Sequence, residues 1–219
     1  MLSELLPRLL RGAVVTAQLA ILGSALALPL ALLAGLGRDA RSVAVRLLAS
    51  SYVELFRGTS ALIQLYWAYF ALPMLGVRID AVAAGVVVLG CNAGAYGAEV
   101  VRGAIRAVPA GQWEAGAVLG LPRRTVLFRI VLPQALPRAL PPLNNVLIEL
   151  LKNTALASMI TLSDLTFEAQ ALRAANLRTG EIFGLLLVIY FCFSLLITGA
   201  FRWLEQSSRR RLGLDRSAS

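Results

Sequence analysis

The sequence holds no histidine, a single lysine and two cysteines. Each scarcity removes a class of chemistry. Without histidine, and with both cysteines inside apolar runs, neither a zinc site nor a Cys–His nucleophile pair is available. Cys91 and Cys192 both fall within candidate membrane spans, which argues against a disulfide framework. Lys152 follows Leu151 and precedes Asn153. A phosphate-binding loop needs Lys after Gly, with Ser or Thr following, so this chain binds no ATP in that way. The serines have no histidine to activate them. An intramembrane enzyme is a poor reading of this chain, and a transport component is a better one.

Charge is scarce as well. Only 15% of the 219 residues are charged and 58% are hydrophobic, with a mean hydropathy of +0.73. Soluble domains rarely look like this. A helix needs about 20 apolar residues to cross the hydrocarbon. Five stretches qualify, at about 12–37, 56–77, 81–101, 141–163 and 182–203. Glu149 and Lys152 interrupt the fourth. The first is too long for a signal-peptide core of about 7–15 residues, so it reads as a retained helix. The expected fold is all-α and integral to the membrane, one transmembrane domain over residues 1–219.

The net charge of +9 points to topology rather than to nucleic acid. With the N-terminus outside, fifteen arginines fall in inner segments and five in outer ones. Basic residues prefer the inner side, so five helices run N-out and C-in. The basic tail after Phe201 then lies on the anionic inner leaflet.

Several features stand out along the chain. Gly23, Ala27, Ala31 and Gly35 form a small-residue stripe in the first span, and Gly90, Gly94 and Ala98 form another in the third. Such stripes serve close packing, either within the chain or against a second one. Tyr66, Trp67 and Tyr69 suit an outer aromatic belt or a path lining. Glu54 and Arg57, Glu99 and Arg102, and Glu149 and Lys152 are each three residues apart, a spacing that allows pairing on one helix face. Charges in lipid face a protein interior or an aqueous path, so Glu149 and Lys152 are either a structural brace or a polar lining. The segment 163–181 is long for a hairpin. Ser163 is placed to cap a short helix containing Leu165, Ala169 and Leu172.

One stretch does not belong in a bilayer: "GQWEAGAVLGLPRRTVLFRIVLPQALP". Pro109 suits a helix start, and Gln112–Leu119 reads helical. Gly120 stops the helix in a left-handed conformation. Leu121-Pro122 begins again, because Pro fits a first helical turn. Pro133 and Pro137 then end or kink the second helix. Two short helices with a sharp break result, over 109–137. Ala115, Gly116 and Ala117 offer a small face to a partner's groove. The same pattern also suits an amphipathic surface hairpin with no partner.

Glu114-Ala115-Gly116, then Gly120, then Ile130-Val131-Leu132-Pro133 resembles the coupling loop of ABC importer permeases. "ELFRGTSALIQL", "AYGAEVVRGAIRAVPAGQ", "VLPQALP" and "LLKNTALASMITLSDL" resemble the polar amino-acid permeases, over about residues 12–205. Two positions depart from that pattern. Gly116 stands where the family usually has Ala, and Ser60 where many members have Pro. Ser60, together with "FRGTSALIQLYWAYFALP" and "KNTALASMITLSDLTF", is similar to the ectoine/hydroxyectoine permeases within that family.

The resemblance implies a subunit of the bacterial inner membrane, crossing it several times. A second permease, identical or homologous, would pair with it. A cytoplasmic ABC ATPase dimer would use ATP and Mg, and this chain would bind no cofactor or metal and carry no catalytic residue. An extracytoplasmic solute-binding protein would deliver substrate. By position, Glu114, Ala115, Gly116 and Gly120 would carry ATPase coupling. Arg57, Gly58 and Thr59 would brace an inner gate. Asn92, Glu149, Lys152, Asn153 and Ser158 would line the substrate path. The contrasting reading is an ATP-independent membrane channel or scaffold subunit.

Overall fold

A computed structural model describes residues 2–211, with side chains from 6 to 208. The basic tail therefore falls partly outside the described residues: Arg216 entirely, and Arg209, Arg210 and Arg211 in their side chains. Among the described residues the fold is wholly helical. Helix α1 covers Leu2–Gly37 and α2 covers Val43–Gly58. Helix α3, Ala61–Tyr66, continues through a π-helical turn, Trp67–Ala71, and a 3-10 turn, Leu72–Leu75. The long α4, Ala81–Arg106, follows, then α5, Ala110–Val118, and α6, Arg123–Val126. A π-helical turn, Leu127–Val131, joins α6 to α7, Leu132–Asn153, which tightens into a 3-10 segment, Thr154–Ile160. Helices α8, Leu165–Asn176, and α9, Thr179–Arg211, complete the chain.

Among the described residues, three helical stretches are long and apolar enough to cross a membrane: Leu6–Gly37, Ala81–Arg106 and Thr179–Ser208. A fourth candidate is bent by 55° where Arg123–Ile160 meets Leu165–Asn176. The stretch expected as a second span, 56–77, is not one helix. Helix α2 stops at Gly58, Thr59 is extended (φ −124°, ψ 154°), and a new helix begins after Ser60. The apolar piece Ala61–Leu75 is about 22 Å long at 1.5 Å per residue, and the residues before it belong to α2. Hydropathy registers missing charge, not an unbroken helix.

Helix α4 is the hub. Of its apolar window 61% is buried, against 39% for α1 and 6% for α9. A helix apolar all round and exposed along its length faces lipid, which fits α9. Helices α1 and α4 meet through the glycine stripes. A Cβ on Gly35 would lie 2.9 Å from the Ala98 carbonyl oxygen, and one on Gly97 would lie 2.7 Å from Ala31 Cβ. The Gly94 position is 3.2 Å from the Ala27 carbonyl oxygen. The stripes thus serve packing within the chain, bringing two backbones close enough for broad dispersion contact.

Helix α8 is capped by Asp164 and not by Ser163. The helix begins at Leu165, which places Asp164 at the N-cap, where its carboxylate accepts the Phe167 N–H at 2.9 Å. Leu165, Ala169 and Leu172 bury against Leu9 and Ala13 of α1 and Ile182 of α9. The Leu165 N–H donates to the buried Thr16 hydroxyl at 3.1 Å, fastening α8 to α1.

Gly35→Leu should lower thermal stability in detergent by about 1–3 kcal/mol, the usual cost of overpacking. Gly184→Ala, where an added Cβ meets nothing within 4 Å, should raise it by up to about 1 kcal/mol. Equal effects from the two changes would contradict the seam.

Candidate functional site

The polar stretch 109–137 folds into a knuckle. Pro109 stands at the N-cap of α5. At the far end Gly120 takes φ +68°, a conformation glycine adopts without steric cost. The Leu121 N–H donates to the Gly116 carbonyl, and the Gly120 N–H to the Ala117 carbonyl, both at 3.0 Å. That pair of bonds is a Schellman cap, and it satisfies the carbonyls that a helix end leaves orphaned.

The second half departs from expectation. It is not a short separate helix, because α6 runs through the π-helical turn into α7 without leaving helical backbone. Pro133 continues the helix instead of ending it: it comes just after the π-helical turn, where the backbone bonding already changes register around its missing N–H. Pro137, Pro141 and Pro142 lie inside α7. Pro137 is buried among the neighbouring elements that hold the helix in place.

The small residues of α5 do not share one face. Ala115 and Ala117 are exposed, with Glu114, Val118 and Leu119, whereas Gly116 is buried. A Cβ on Gly116 would sit 2.5 Å from Val126 Cγ2. Alanine cannot enter unless the stiff β-branched Val126 moves. This accounts for glycine where the resembled pattern has alanine.

Side-chain bonds lock the knuckle to its neighbours. Gln134 Nε2 donates to Gln112 Oε1 at 3.2 Å and to the Ile130 carbonyl at 3.0 Å. Arg138 donates to the Ala107 carbonyl just past α4. Val126, Val131 and Ala135 bury together with Ala104 and Val108. The Arg123 guanidinium lies 5.5 Å from the Trp113 ring centroid.

The same end of the bundle carries two ion clusters. Among the described residues no ion pair joins Glu54 to Arg57, Glu99 to Arg102, or Glu149 to Lys152. Instead Glu99 Oε1 accepts from Arg57 at 2.9 Å and also from Arg38. Asp39 accepts from Arg102 at 3.2 Å and from Arg106 at 2.8 Å. Burial alone would push the Asp39 carboxyl up. The hydrogen bonds and charges of Arg106 and Arg102 outweigh it and hold the group below the usual carboxylate range. Of the gate candidates, Arg57 is part of the Glu99 cluster, Gly58 ends α2, and the Thr59 hydroxyl donates to the Leu55 carbonyl at 2.7 Å.

Of the path candidates, Asn92, Glu149 and Asn153 line one cavity between α4 and α7, with Tyr96, Ala93, Leu89, Val146 and Leu150. Its volume of about 10 Å³ is roughly what one water needs. Lys152 is exposed and away from this lining. Ser158 is buried, and its hydroxyl donates to the Ala155 carbonyl at 2.7 Å, a local bond outside the cavity. Asn92 Nδ2 donates to the Phe56 carbonyl at 3.0 Å and to Gln64 Oε1 at 3.3 Å. Gln64 in turn donates to the Phe56 carbonyl and to the Thr59 hydroxyl.

The family of binding-protein-dependent transport system inner membrane components matches residues 27–210. The chain belongs to this family. It is a multi-pass permease subunit of an ABC transport system in the inner membrane. A probable amino-acid ABC transporter permease of Sinorhizobium fredii is 40% identical over 93% of the chain and 88% of its own length. The glutamine transport system permease GlnP of Escherichia coli is 38% identical over 92% and 93%. A crystal structure of an amino acid ABC transporter with histidines shares the fold at a TM-score of 0.85, with 32% identity, over 94% of this chain and 96% of that one.

Sequence reasoning on the permease passed over Gln64, Tyr96 and the double role of Glu99. Asn92, Tyr96 and Glu99 stand at i, i+4 and i+7 in α4, a spacing that places them on one face and that was legible in advance. Gln64 was not, because its partners lie across the helix break at Thr59 and on α4.

The packing around Gly116 is directly testable. Gly116→Ala should lower melting in detergent by about 1–3 kcal/mol through overpacking. Adding Val126→Ala should recover part of that loss. Two purely additive losses would contradict the contact.

Proposed function

We propose that this permease subunit forms half of the translocation route of an ATP-driven importer for polar amino acids or related zwitterionic solutes. The observation that carries the reading is the fusion of α5, α6 and α7 into one packed unit. One end of that unit presents Glu114, Ala115, Val118 and Leu119 to solvent. The other end supplies Glu149 and Asn153 to the cavity. A partner that pulls on the knuckle thereby moves a wall of the polar route.

In this account the chain runs N-out and C-in, and the knuckle faces the cytoplasm. Two ABC ATPase subunits bind ATP with Mg and grip the knuckles of two permeases. Closure of the ATPases draws the knuckles together and opens the route outward to a solute-binding protein. Hydrolysis resets it, giving alternating access around a midplane site. A water-sized cavity suits a route that is shut between cycles. Gly120 and Gly116 serve the coupling by shape, the first as a left-handed stop and the second by seating Val126. Glu114 serves by charge on the exposed face. Arg57, Gly58 and Thr59 mark the break that acts as the inner gate.

The names of the relatives support amino acids, glutamine among them, as the substrate class. The narrower ectoine reading stands on Ser60 and the stretches 56–73 and 152–167 alone. Glu149 at the cavity offers a carboxylate to a solute's ammonium group, whereas Lys152 does not reach that lining. Thermal shift of the cognate binding protein with L-glutamine and with ectoine separates the two.

Two transport experiments test the mechanism. Glu114→Arg or Gly120→Asp should abolish ATPase binding or coupled uptake while the permease still inserts into the membrane. Wild-type uptake in both would sink the coupling role, and passive solute flux through the permease alone in liposomes would favour a channel. Glu149→Gln should alter uptake KM or substrate-stimulated ATP hydrolysis. If neither moves, Glu149 is structural.

A further inference from the structure

Asn92, Tyr96 and Glu99 rise in one-turn steps along a single face of α4. Two consecutive residues at the end of α2 hold all three. The Phe56 carbonyl accepts from Asn92 at 3.0 Å. The Arg57 guanidinium lies 5.3 Å from the Tyr96 ring centroid and donates to Glu99 Oε1 at 2.9 Å. Asn92 and Tyr96 line the cavity, and Glu99, one turn beyond, does not. Arg38, just past α1, shares the same Glu99 oxygen, and its buried Nε has no partner. Two arginines thus meet one carboxylate oxygen, and only Arg57 also lies against a residue of the cavity lining.

We propose that Arg57 is a positioning residue for translocation. Steered by Glu99, it clamps Tyr96 and so sets a wall of the cavity from the break at the end of α2. The inference rests on assigning that cavity to the substrate route.

The physical case has three parts. A guanidinium over an aromatic face is attracted by the ring quadrupole, and its charge-assisted bond to Glu99 fixes its direction. Neither contact is deeply buried: the Arg57 and Glu99 side chains are 41% and 34% exposed. Exposed pairs are screened and weak, so the clamp is breakable, as a moving gate requires. The third part is the break itself. A Cβ on Gly58 meets nothing within 4 Å, and Thr59 is extended, so the end of α2 has room to pivot. One such pivot lifts Arg57 from Tyr96 and the Phe56 carbonyl from Asn92 together. Two lining residues of the cavity are then released in one motion.

The test uses the assembled transporter in liposomes, with Cys91→Ala and Cys192→Ala, and a reporter thiol introduced by Asn153→Cys. The rate of modification by a charged methanethiosulfonate reports access to the cavity without reference to any substrate. Arg57→Gln and Tyr96→Leu should each raise that rate by about tenfold, the scale of losing one partly desolvated cation–π contact. The double variant should do no more than either single one. Arg57→Lys, which keeps the charge but loses the planar stack, should fall between. Arg38→Gln should leave the rate where it was, although it too unpairs Glu99. An equal rise from Arg38→Gln, an unchanged rate in Arg57→Gln, or additive singles would overturn the proposal. Should Glu149→Gln prove silent in transport, the labelling outcome still stands, so the two readings fail separately.

Discussion

Backbone polar groups freed inside a bilayer must find partners within the protein, because lipid offers none. Two of the interruptions in this chain's helices answer that demand differently. At the end of α2 the helix breaks, and side chains take over: Asn92 and Gln64 reach the Phe56 carbonyl, and Thr59 reaches that of Leu55. Between α6 and α7 the helix never breaks, and a π-helical turn keeps the backbone bonded through the change of register. The first solution yields a joint, and the second yields a strut.

A joint and a strut are what a driven permease needs. The strut carries the knuckle at one end and Glu149 and Asn153 at the other. Gly116 seated on Val126, the Schellman cap at Gly120 and the Gln112–Gln134 bond keep its lower part from flexing. The joint lies across the same cavity, where α2 ends against α4. Helix α4, packed on α1 through the glycine seam, is the fixed post between them. The outward face of α9, by contrast, carries exposed apolar side chains suited to lipid.

Much of this was readable in the sequence. Long uncharged runs marked α1, α4 and α9, because a helix that crosses the bilayer, whether it meets lipid or other helices, must be apolar along its length. Gly120 marked its left-handed stop, since few other residues tolerate that backbone. The small-residue stripes marked a close helix seam but not its partner. Three kinds of fact were hidden. Gly58 and Thr59 signalled a loosened helix but not that it ends there: with no proline or charge at Thr59–Ser60, hydropathy passed straight over the break. Ion pairs guessed from i, i+3 spacing gave way to partners far apart in the chain, because Arg38 and Arg57 reach Glu99 only once α1, α2 and α4 have packed. Gly116 looked like part of a small contact face, yet its reason is Val126, ten residues on and across a turn.

The central claim is that α5, α6 and α7 move as one body. Spin labels at Val118 and Asn145, both exposed, would report it by pulsed electron–electron dipolar spectroscopy on the assembled transporter. Within one permease the distance should keep a single sharp distribution with and without ATP. Between the two Val118 positions of the paired permeases it should shorten when ATP binds. A distance within one permease that shifts as much as the one between permeases would contradict the account, because the knuckle would then be a flap hinged on α7 and not its end.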